Sequence, residues 1–261
     1  MDLGIAGRKA FVSGASKGLG RACALALALV EGARVTILAR DPGRLEKAVA
    51  DMRAATGSEV NWVAGDITTE TGRAAALAAC PDPDILVNNA GDAPPRGDCL
   101  QWEIEDWRAA LNDHMLTSVM MIRATVPGMV ERGFGRVVNI TSGVVKMPIA
   151  NMALATAPRL GLTGFAAGLA RQVVRHNVTI NNLLPGAMDT ERFKVHREEL
   201  AKHEGDPHKA QESAQLAGGP AGRWGDPAEF GAACAFLSSV QAGYITGQSL
   251  SVDGGRFPGT L

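Results

Sequence analysis

Short apolar runs rich in β-branched residues alternate along this chain with longer stretches whose apolar residues follow the period of a helix. Parallel strands are joined by such crossovers, which are right-handed almost without exception, and each crossover helix packs on one face of the sheet. The alternation therefore predicts an α/β fold with a doubly wound parallel sheet. The seven predicted strands are Lys9–Ser13, Arg34–Ala39, Val60–Ala64, Ile85–Asn88, Arg136–Thr141, Thr179–Leu184 and Ser249–Val252.

The length of the chain favours a single domain. Its 261 residues, of which 46% are hydrophobic, are enough to bury one large core. Two long helices are predicted, at about Glu103–Arg132 and about Met152–Arg175, and the polar segment at about 190–219 is interpreted as a lid. We therefore expect one domain over residues 1–261, with the lid-like segment as part of it.

Charge and composition exclude several classes of protein. The formal net charge is −1 and the basic residues are scattered, so no surface for nucleic acid is predicted. The histidines have no metal-ligand spacing and the cysteines form no CxxC pair, so neither a metal site nor a disulfide framework is predicted. The longest apolar run, Ala22–Val30, is too short to span a bilayer, and no signal-like segment is found at the N-terminus. We therefore expect a cytoplasmic protein that does not bind membranes.

A glycine-rich turn directly follows the first predicted strand. Gly14, Gly18 and Gly20 have a GxxxGxG spacing that leads into a helix predicted to begin near Leu19. Glycine lets the backbone turn tightly and approach a pyrophosphate, whose charge is stabilised by the N–H groups and positive end of the helix. The turn therefore indicates a dinucleotide site in a Rossmann-type fold, although the same spacing also occurs in purely structural strand-to-helix turns.

Further motifs are spread over nearly the whole chain. They are Gly65-Asp66-Ile67, Asn88-Asn89-Ala90-Gly91, Val138-Asn139-Ile140-Thr141-Ser142, Asn182-Leu183-Leu184-Pro185-Gly186, Tyr244-Ile245-Thr246-Gly247-Gln248 and Asp253-Gly254-Gly255. Together with the glycine-rich turn they resemble the short-chain dehydrogenase/reductase family, in particular its branch of 3-oxoacyl-ACP reductases. The resemblance implies an oxidoreductase that uses a nicotinamide cofactor and acts on a small molecule with a carbonyl or secondary alcohol.

The same resemblance implies cofactor roles for three of these motifs. In proteins of this family, residues at the position of Asp66 and its neighbours hold the adenine. Those at Asn89-Ala90-Gly91 line the ribose and nicotinamide. The segment 185–190 is expected to cover the carboxamide.

The end of the second predicted strand bears on the choice of cofactor. NAD-dependent enzymes place a carboxylate there to bind the ribose 2′-hydroxyl, whereas this chain has Ala39 followed by Arg40. Without an acid there is no repulsion of a 2′-phosphate, and Arg40, Lys17 and Ser16 can donate hydrogen bonds to it. NADP(H) is therefore favoured over NAD(H). The alternative is that Arg40 and Lys17 are solvated surface charges.

The positions of the family's catalytic groups carry unusual residues. The family uses an Asn, a Ser, and a Tyr and Lys in a YxxxK spacing, of which the Tyr exchanges the proton. Ser142 fits the Ser position. Counting from the shared motifs puts Ala155 at the Tyr position, Arg159 at the Lys position and His114 at the Asn position. Alanine has no proton to exchange, and arginine can bind the ribose hydroxyls but not relay protons at neutral pH.

Three hypotheses about function follow. In the first, the protein is an NADP-dependent oxidoreductase in which His114 is the acid/base, because imidazole exchanges protons near neutral pH, and Ser142 anchors the carbonyl. The second is a catalytically inactive NADP-binding protein with a regulatory or structural role. The third is a non-redox enzyme on the same fold. The predicted catalytic residues are Ser142, His114 and Arg159. The predicted cofactor-binding residues are Gly14, Ser16, Lys17, Gly18, Leu19, Gly20, Arg40, Asp66, Ile67, Asn89, Ala90, Gly91, Arg159, Pro185, Gly186, Met188 and Thr190.

The two long helices carry apolar faces and resemble those that pair into a four-helix subunit contact in this family. Self-association to a dimer or tetramer is therefore expected. The apolar residues on these faces are Leu111, Met115, Val119, Ile122, Leu160, Leu162, Phe165 and Leu169.

Overall fold

The computed structural model describes residues 2–29, 32–91, 97–191, 194 and 219–260. Within these ranges the strands are β1 (Lys9–Ser13), β2 (Arg34–Ala39), β3 (Val60–Ala64), β4 (Ile85–Asn88), β5 (Gly135–Ile140), β6 (Val178–Pro185) and β7 (Ser249–Val252). They form one sheet in the order β3-β2-β1-β4-β5-β6-β7, and every pair of neighbours is parallel. The predicted doubly wound Rossmann-type fold is confirmed, and the predicted bounds of β5 and β6 are wrong by one residue at each end.

Helices cover both faces of this sheet. They are α1 (Gly18–Ala28), α2 (Pro42–Thr56), α3 (Glu70–Ala79), α4 (Ile104–Leu111), α5 (Thr117–Glu131), α6 (Ala153–Val173) and α7 (Pro227–Leu237). One core, which includes Val12 and Val87 of the sheet, packs against α1, α2 and α7. The other, which includes Phe11 and Leu86, packs against α3, α5 and α6. Neighbouring residues of β1 and β4 thus point to opposite cores, which is the side-chain alternation of a central strand.

The strand order reverses between β1 and β4. Strand β1 pairs with β2 on one side and with β4 on the other, so the crossovers leave the two central strands in opposite directions. At such a switch point the connections after the strands diverge and leave a crevice at the carboxyl ends. The glycine-rich turn after β1 and the Asn89-Ala90-Gly91 segment after β4 therefore meet at this crevice.

The long helix predicted at about Glu103–Arg132 is interrupted. A π-helical turn, Asn112–Leu116, separates α4 from α5. The N–H and the hydroxyl of Thr117 both donate to the Asn112 carbonyl, five residues earlier, the hydroxyl at 2.8 Å. Apolar residues continue through the segment at helical spacing, so the sequence pattern does not distinguish this turn from ordinary α-helix.

The apolar faces predicted on these helices are only partly correct. Leu111 and Leu160 are exposed, as expected for an outer face. Ile122 and Leu162 are buried in the core instead. The predicted lid at 190–219 lies mostly outside the described residues. None of the helices in the described part of the chain combines the length and apolarity needed to cross a membrane.

Candidate active site

The glycine-rich turn is locked to the end of β4. A Cβ atom at Gly14 would lie 2.4 Å from the Asn89 carbonyl oxygen, and one at Gly20 would lie 2.5 Å from the Gly14 carbonyl oxygen. Gly14 also has a φ of +60°, and its carbonyl accepts a 3.0 Å hydrogen bond from Asn89 Nδ2. Only glycine fits at these two positions, because any side chain would force the two segments apart.

Gly18 has a different reason to be glycine. Its φ is +59°, in the left-handed region, but a Cβ atom there would meet no heavy atom within 4 Å. The space beside the first turn of α1 is therefore open, and the N–H groups of that turn have no partner within the helix. Lys17, the residue that precedes α1, is exposed, and its Nζ lies 3.8 Å from Glu191 Oε2. These features fit a bound phosphate group, with Lys17 at its edge.

The ends of β2 and β3 present Arg40 and Asp66. Ala39 ends β2, and Arg40 after it is exposed. Partial burial raises the pKa of the Asp66 carboxyl, but the hydrogen bonds from the N–H and hydroxyl of Thr68 and the charge of Arg40 together outweigh it and lower the pKa below its ordinary value. The two Thr68 bonds to Asp66 Oδ1 are 3.0 and 2.8 Å long. Asp66 is therefore a fixed carboxylate near a cation, and no acid stands at the end of β2.

Thr68 was not among the predicted residues. It holds Asp66 in an Asx turn, in which an Asp side chain accepts from the backbone two residues later. The spacing Asp66-Ile67-Thr68 is a sequence signal for this turn, since a hydroxyl two residues after an Asp can add a second bond to the same oxygen. Thr68 therefore orients Asp66, the residue for which the sequence analysis predicts a role at the adenine.

His114 lies in the π turn with only 5% of its surface exposed. Its ring packs on Gly91, where an added Cβ atom would lie 2.5 Å from His114 Cε1 and 2.7 Å from Nδ1. Gly91 also has a φ of +80°. A glycine at this position therefore makes room for the imidazole, and the ring sits beside the Asn89-Ala90-Gly91 segment that follows β4.

Ser142 begins the connection between β5 and α6. Its backbone is extended, and its Oγ accepts a 3.4 Å bond from the N–H of Val144. A Cβ atom at the next residue, Gly143, would lie 3.5 Å from the Pro185 carbonyl oxygen. The Gly186 N–H in turn donates to Val252 at 3.0 Å. The Ser142 turn and the Pro185-Gly186 segment are thus neighbours at the carboxyl edge of the sheet.

Ala155 and Arg159 lie one turn apart on α6. Ala155 is 4% exposed, and Arg159 is half-buried. Arg159 Nη1 donates to the Ala155 carbonyl oxygen at 2.9 Å, so the guanidinium folds back toward the start of the helix. Position 155, where the sequence analysis predicts the family's Tyr to be replaced, thus holds a small buried side chain, with a cation bonded to its backbone.

The π turn and α6 also touch. A Cβ atom at Gly161 would lie 2.8 Å from Met115 Sδ, so glycine allows Met115 of the π turn to pack on α6 two residues after Arg159.

Near the predicted lid, Met188 pairs with Gly225 in an isolated bridge, and the N–H of Thr190 donates to the Met188 carbonyl at 2.8 Å. Ser142, Gly186, Met188 and Thr190 thus lie on the segments that follow β5 and β6.

Comparison with known proteins identifies the class. A family model described as enoyl-(acyl carrier protein) reductase matches residues 14–256, which is nearly the whole chain. The chain belongs to this family of short-chain dehydrogenases/reductases.

Relatives and solved structures agree with this classification. The chain is 34% identical over 260 residues to the 3-oxoacyl-[acyl-carrier-protein] reductase FabG of Vibrio cholerae, covering 98% of this chain and 99% of that protein. It is 33% identical to the NADPH-dependent reductase BacG of Bacillus subtilis, covering 95% of this chain and 97% of BacG. The structure of L-sorbose reductase from Gluconobacter frateurii, complexed with NADPH and L-sorbose, superposes with a TM-score of 0.91 at 30% identity. That match covers 99% of this chain and 100% of the reductase.

Proposed function

We propose that this protein is an NADP(H)-dependent oxidoreductase that interconverts a carbonyl and a secondary alcohol, with His114 in place of the usual Tyr as acid/base. The observation that carries the proposal is the position of the His114 ring, which is buried against Gly91. No other imidazole among the described residues lies at the Asn89-Ala90-Gly91 segment. The similarity to NADPH-dependent reductases supports the choice of reaction class.

The residues of the crevice fit the cofactor. The first turn of α1 and the open space beside Gly18 suit the pyrophosphate. Arg40 and Lys17 are exposed cations, and a 2′-phosphate placed between the ends of β1 and β2 would meet no acid at Ala39. When bound, NADPH supplies the hydride for carbonyl reduction.

Three side chains would bind the substrate carbonyl, transfer the proton and bind the ribose of the cofactor. Ser142 donates a hydrogen bond to the substrate carbonyl and so stabilises the negative charge that develops on its oxygen. His114 gives the proton to that oxygen, directly or through a water, since an imidazole can be either acid or base near neutral pH. Arg159 binds the ribose hydroxyls but keeps its proton.

A second candidate function is supported by the start of α6. Ala155 brings no exchangeable proton, and the Arg159 guanidinium bonds to the Ala155 carbonyl. Both features are consistent with a protein that binds NADP, has no catalytic activity, and has a regulatory or structural role. The two candidates share the cofactor and differ only in turnover.

Self-association is part of the proposal. Leu111, Leu116 and Leu160 are between 37% and 43% exposed and lie on the adjoining π turn and helices α4 and α6. Apolar side chains grouped in this way favour burial against a second copy.

The test is NADPH oxidation with a panel of aldehydes and ketones, for the native protein, His114→Ala and His176→Ala. The proposal expects turnover with at least one compound and a loss of about 100-fold or more in kcat for His114→Ala. His176 is the control, because it lies in the 3₁₀ turn that follows the C-terminal end of α6, whereas Ala155 and Arg159 lie near the start of that helix. NADPH binding, followed by fluorescence, should be equal in all three proteins.

Three outcomes count against the proposal. Turnover that survives in His114→Ala would remove His114 from the acid/base role. NADPH binding without turnover by any panel member would favour the inactive candidate, and absence of NADPH binding would reject both.

A further inference from the structure

We infer that Lys146 selects a carbonyl substrate that carries a carboxylate, by binding this group beside Ser142. This inference rests on the proposed function, and it concerns a residue to which neither the cofactor nor the acid/base role was assigned. Three observations support it: the geometry of the turn after β5, the geometry of the C-terminal turn at residues 253–257, and the positive charge of Lys146, whose side chain lies between the two turns.

Lys146 is held at the Ser142 site by the backbone. The residues after Ser142 form a single 3₁₀ turn, Gly143–Val145, which Lys146 ends. The N–H of Lys146 donates to the Gly143 carbonyl at 3.1 Å, and the N–H of Met147 donates to the same oxygen at 3.0 Å. The Lys146 backbone is therefore fixed relative to Ser142, four residues earlier, and the ammonium group is on a stem that begins at the carbonyl-binding turn.

A C-terminal turn approaches the same place from β7. The two carboxylate oxygens of Asp253 accept from the N–H groups of Gly255 and Phe257, each at 3.0 Å. A Cβ atom at Gly186 would lie 2.5 Å from the Asp253 Cα atom, so this turn packs on the Pro185-Gly186 segment. The C-terminal turn is thus rigidly attached to the edge of the crevice.

The side chains of these two turns meet. Lys146 Nζ lies 5.3 Å from the centre of the Phe257 ring, over its face. Both residues are half-buried. The aromatic ring attracts the cation and limits where the ammonium group can go, so Lys146 is directed toward the wall between the Ser142 turn and the C-terminal turn.

Lys146 has no ion-pair partner within the described ranges of the chain. Among the residues that the structure describes, no carboxylate lies within 4.0 Å of its Nζ, whereas Lys17 is paired with Glu191 in this way. The nearby Asp253 carboxylate is already occupied by two backbone N–H groups. A half-buried cation gains from an anionic partner, because the surrounding protein screens the pair less than water does. A substrate carboxylate next to the carbonyl on Ser142 would supply this partner.

The test compares keto acids with their methyl esters. The probes are pyruvate, acetoacetate and levulinate, which place the carboxylate at three distances from the carbonyl, and the three methyl esters. Binding to the NADP⁺-saturated protein is measured by calorimetry, and NADPH oxidation is measured separately. The variants are Lys146→Gln and, as a matched control, Lys47→Gln on the exposed side of α2.

The native protein should bind at least one keto acid more tightly than its ester. Lys146→Gln should weaken that keto acid about tenfold, which corresponds to about 1.4 kcal/mol, and should leave the ester and NADPH within about twofold. Lys47→Gln should change none of these. Phe257→Leu, which keeps an apolar side chain but removes the ring, should weaken the keto acid by a smaller factor than Lys146→Gln.

Other results overturn the inference. One is an equal or weaker affinity for all three keto acids than for their esters in the native protein. Another is a loss in Lys146→Gln that is the same for acid and ester, since this would indicate a structural role. Keto acid binding that depends on Lys146 without any turnover would reject the proposed oxidoreductase activity alone.

Discussion

The turn after β1 and the start of α6 lie at the same edge of the sheet but are constrained in different ways. At the turn, Gly14 and Gly20 are fixed by backbone atoms less than 3 Å from any Cβ they could carry. At the start of α6, Ala155 is buried, and Arg159 bonds to its carbonyl without disturbing the helix. The conformation of the turn requires that Gly14 and Gly20 have no side chains. Helix α6, in contrast, would take part in a reaction only through its side chains.

This difference would explain how a chain can belong to the family and yet carry the predicted replacement of Tyr by Ala at position 155. A side chain at Gly20 would separate the turn from Asn89, and both the fold and the phosphate site would suffer. Replacing a Tyr by Ala on a helix removes a hydroxyl and leaves the backbone bonds in place. Membership of the family therefore indicates how the crevice at the carboxyl ends of the strands is built, but it says little about whether the site is catalytic.

The largest effect is expected from breaking the turn with Gly20→Val. Its Cβ would lie 2.5 Å from the Gly14 carbonyl oxygen, so the turn must shift away from β4. NADPH affinity should fall by about 100-fold, since the N–H groups would no longer be preorganised, and the free energy of unfolding should fall by about 2 kcal/mol. Fluorescence titration and chemical denaturation measure the two quantities.

Gly168→Ala is the matched control for this change. Gly168 is exposed in α6, and an added Cβ atom would meet nothing within 4 Å. Its stability should rise by up to about 1 kcal/mol because Ala favours helix more than Gly does. Unchanged NADPH binding in Gly20→Val would mean that the contacts around the turn do not hold the cofactor site.

A gain of function is expected when the family's Tyr and Lys are placed together at positions 155 and 159, where the spacing of the motifs predicts them. Ala155→Tyr with Arg159→Lys adds a phenol and removes the guanidinium that bonds at the Ala155 carbonyl. If the crevice still positions the cofactor, kcat for carbonyl reduction should rise about 100-fold over the native protein, which is a typical contribution of a general acid. Steady-state kinetics with the best compound of the carbonyl panel measures it.

The control for the gain is Ala155→Phe with Arg159→Lys, which has the ring but not the hydroxyl. It should show no gain. An equal rise in both double variants would assign the effect to the shape of the site, and no rise in either would show that the start of α6 has lost more than two side chains.

The smallest of these effects concerns the choice of cofactor. Arg40→Asp places an acid directly after β2, where it repels a 2′-phosphate and can bind a 2′-hydroxyl. NADPH affinity should fall about tenfold, or about 1.4 kcal/mol, while NADH affinity rises. The comparison variant is Arg175→Asp, an exposed site at the end of α6. An equal loss of affinity for both nucleotides, or the same loss in both variants, would indicate that Arg40 does not bind the 2′-phosphate.

The sheet was readily predicted from the sequence, because each strand is a short run rich in apolar residues, although the bounds of β5 and β6 were wrong by one residue at each end. The runs at Val60–Ala64 and Ile85–Asn88, for example, have the predicted bounds. The π turn was missed, because one extra residue in a turn leaves the spacing of apolar residues almost unchanged. The contact of His114 with Gly91 and the bond from Arg159 to the Ala155 carbonyl were also missed. Both depend on side-chain directions, which the sequence pattern does not specify.

Because of the π turn at Asn112–Leu116, the number of residues between α4 and α5 matters as much for the structure as the identity of those residues. A π turn contains one residue more than the α-helix that would replace it, and each residue rotates the helix by about 100°. Deleting Asp113 or Met115 would let the segment close as an α-helix. His114 would then turn away from Gly91, or the buried face of α5 would turn away from the sheet. The fold should therefore tolerate single substitutions along this segment, His114→Ala included, far better than a deletion of one codon.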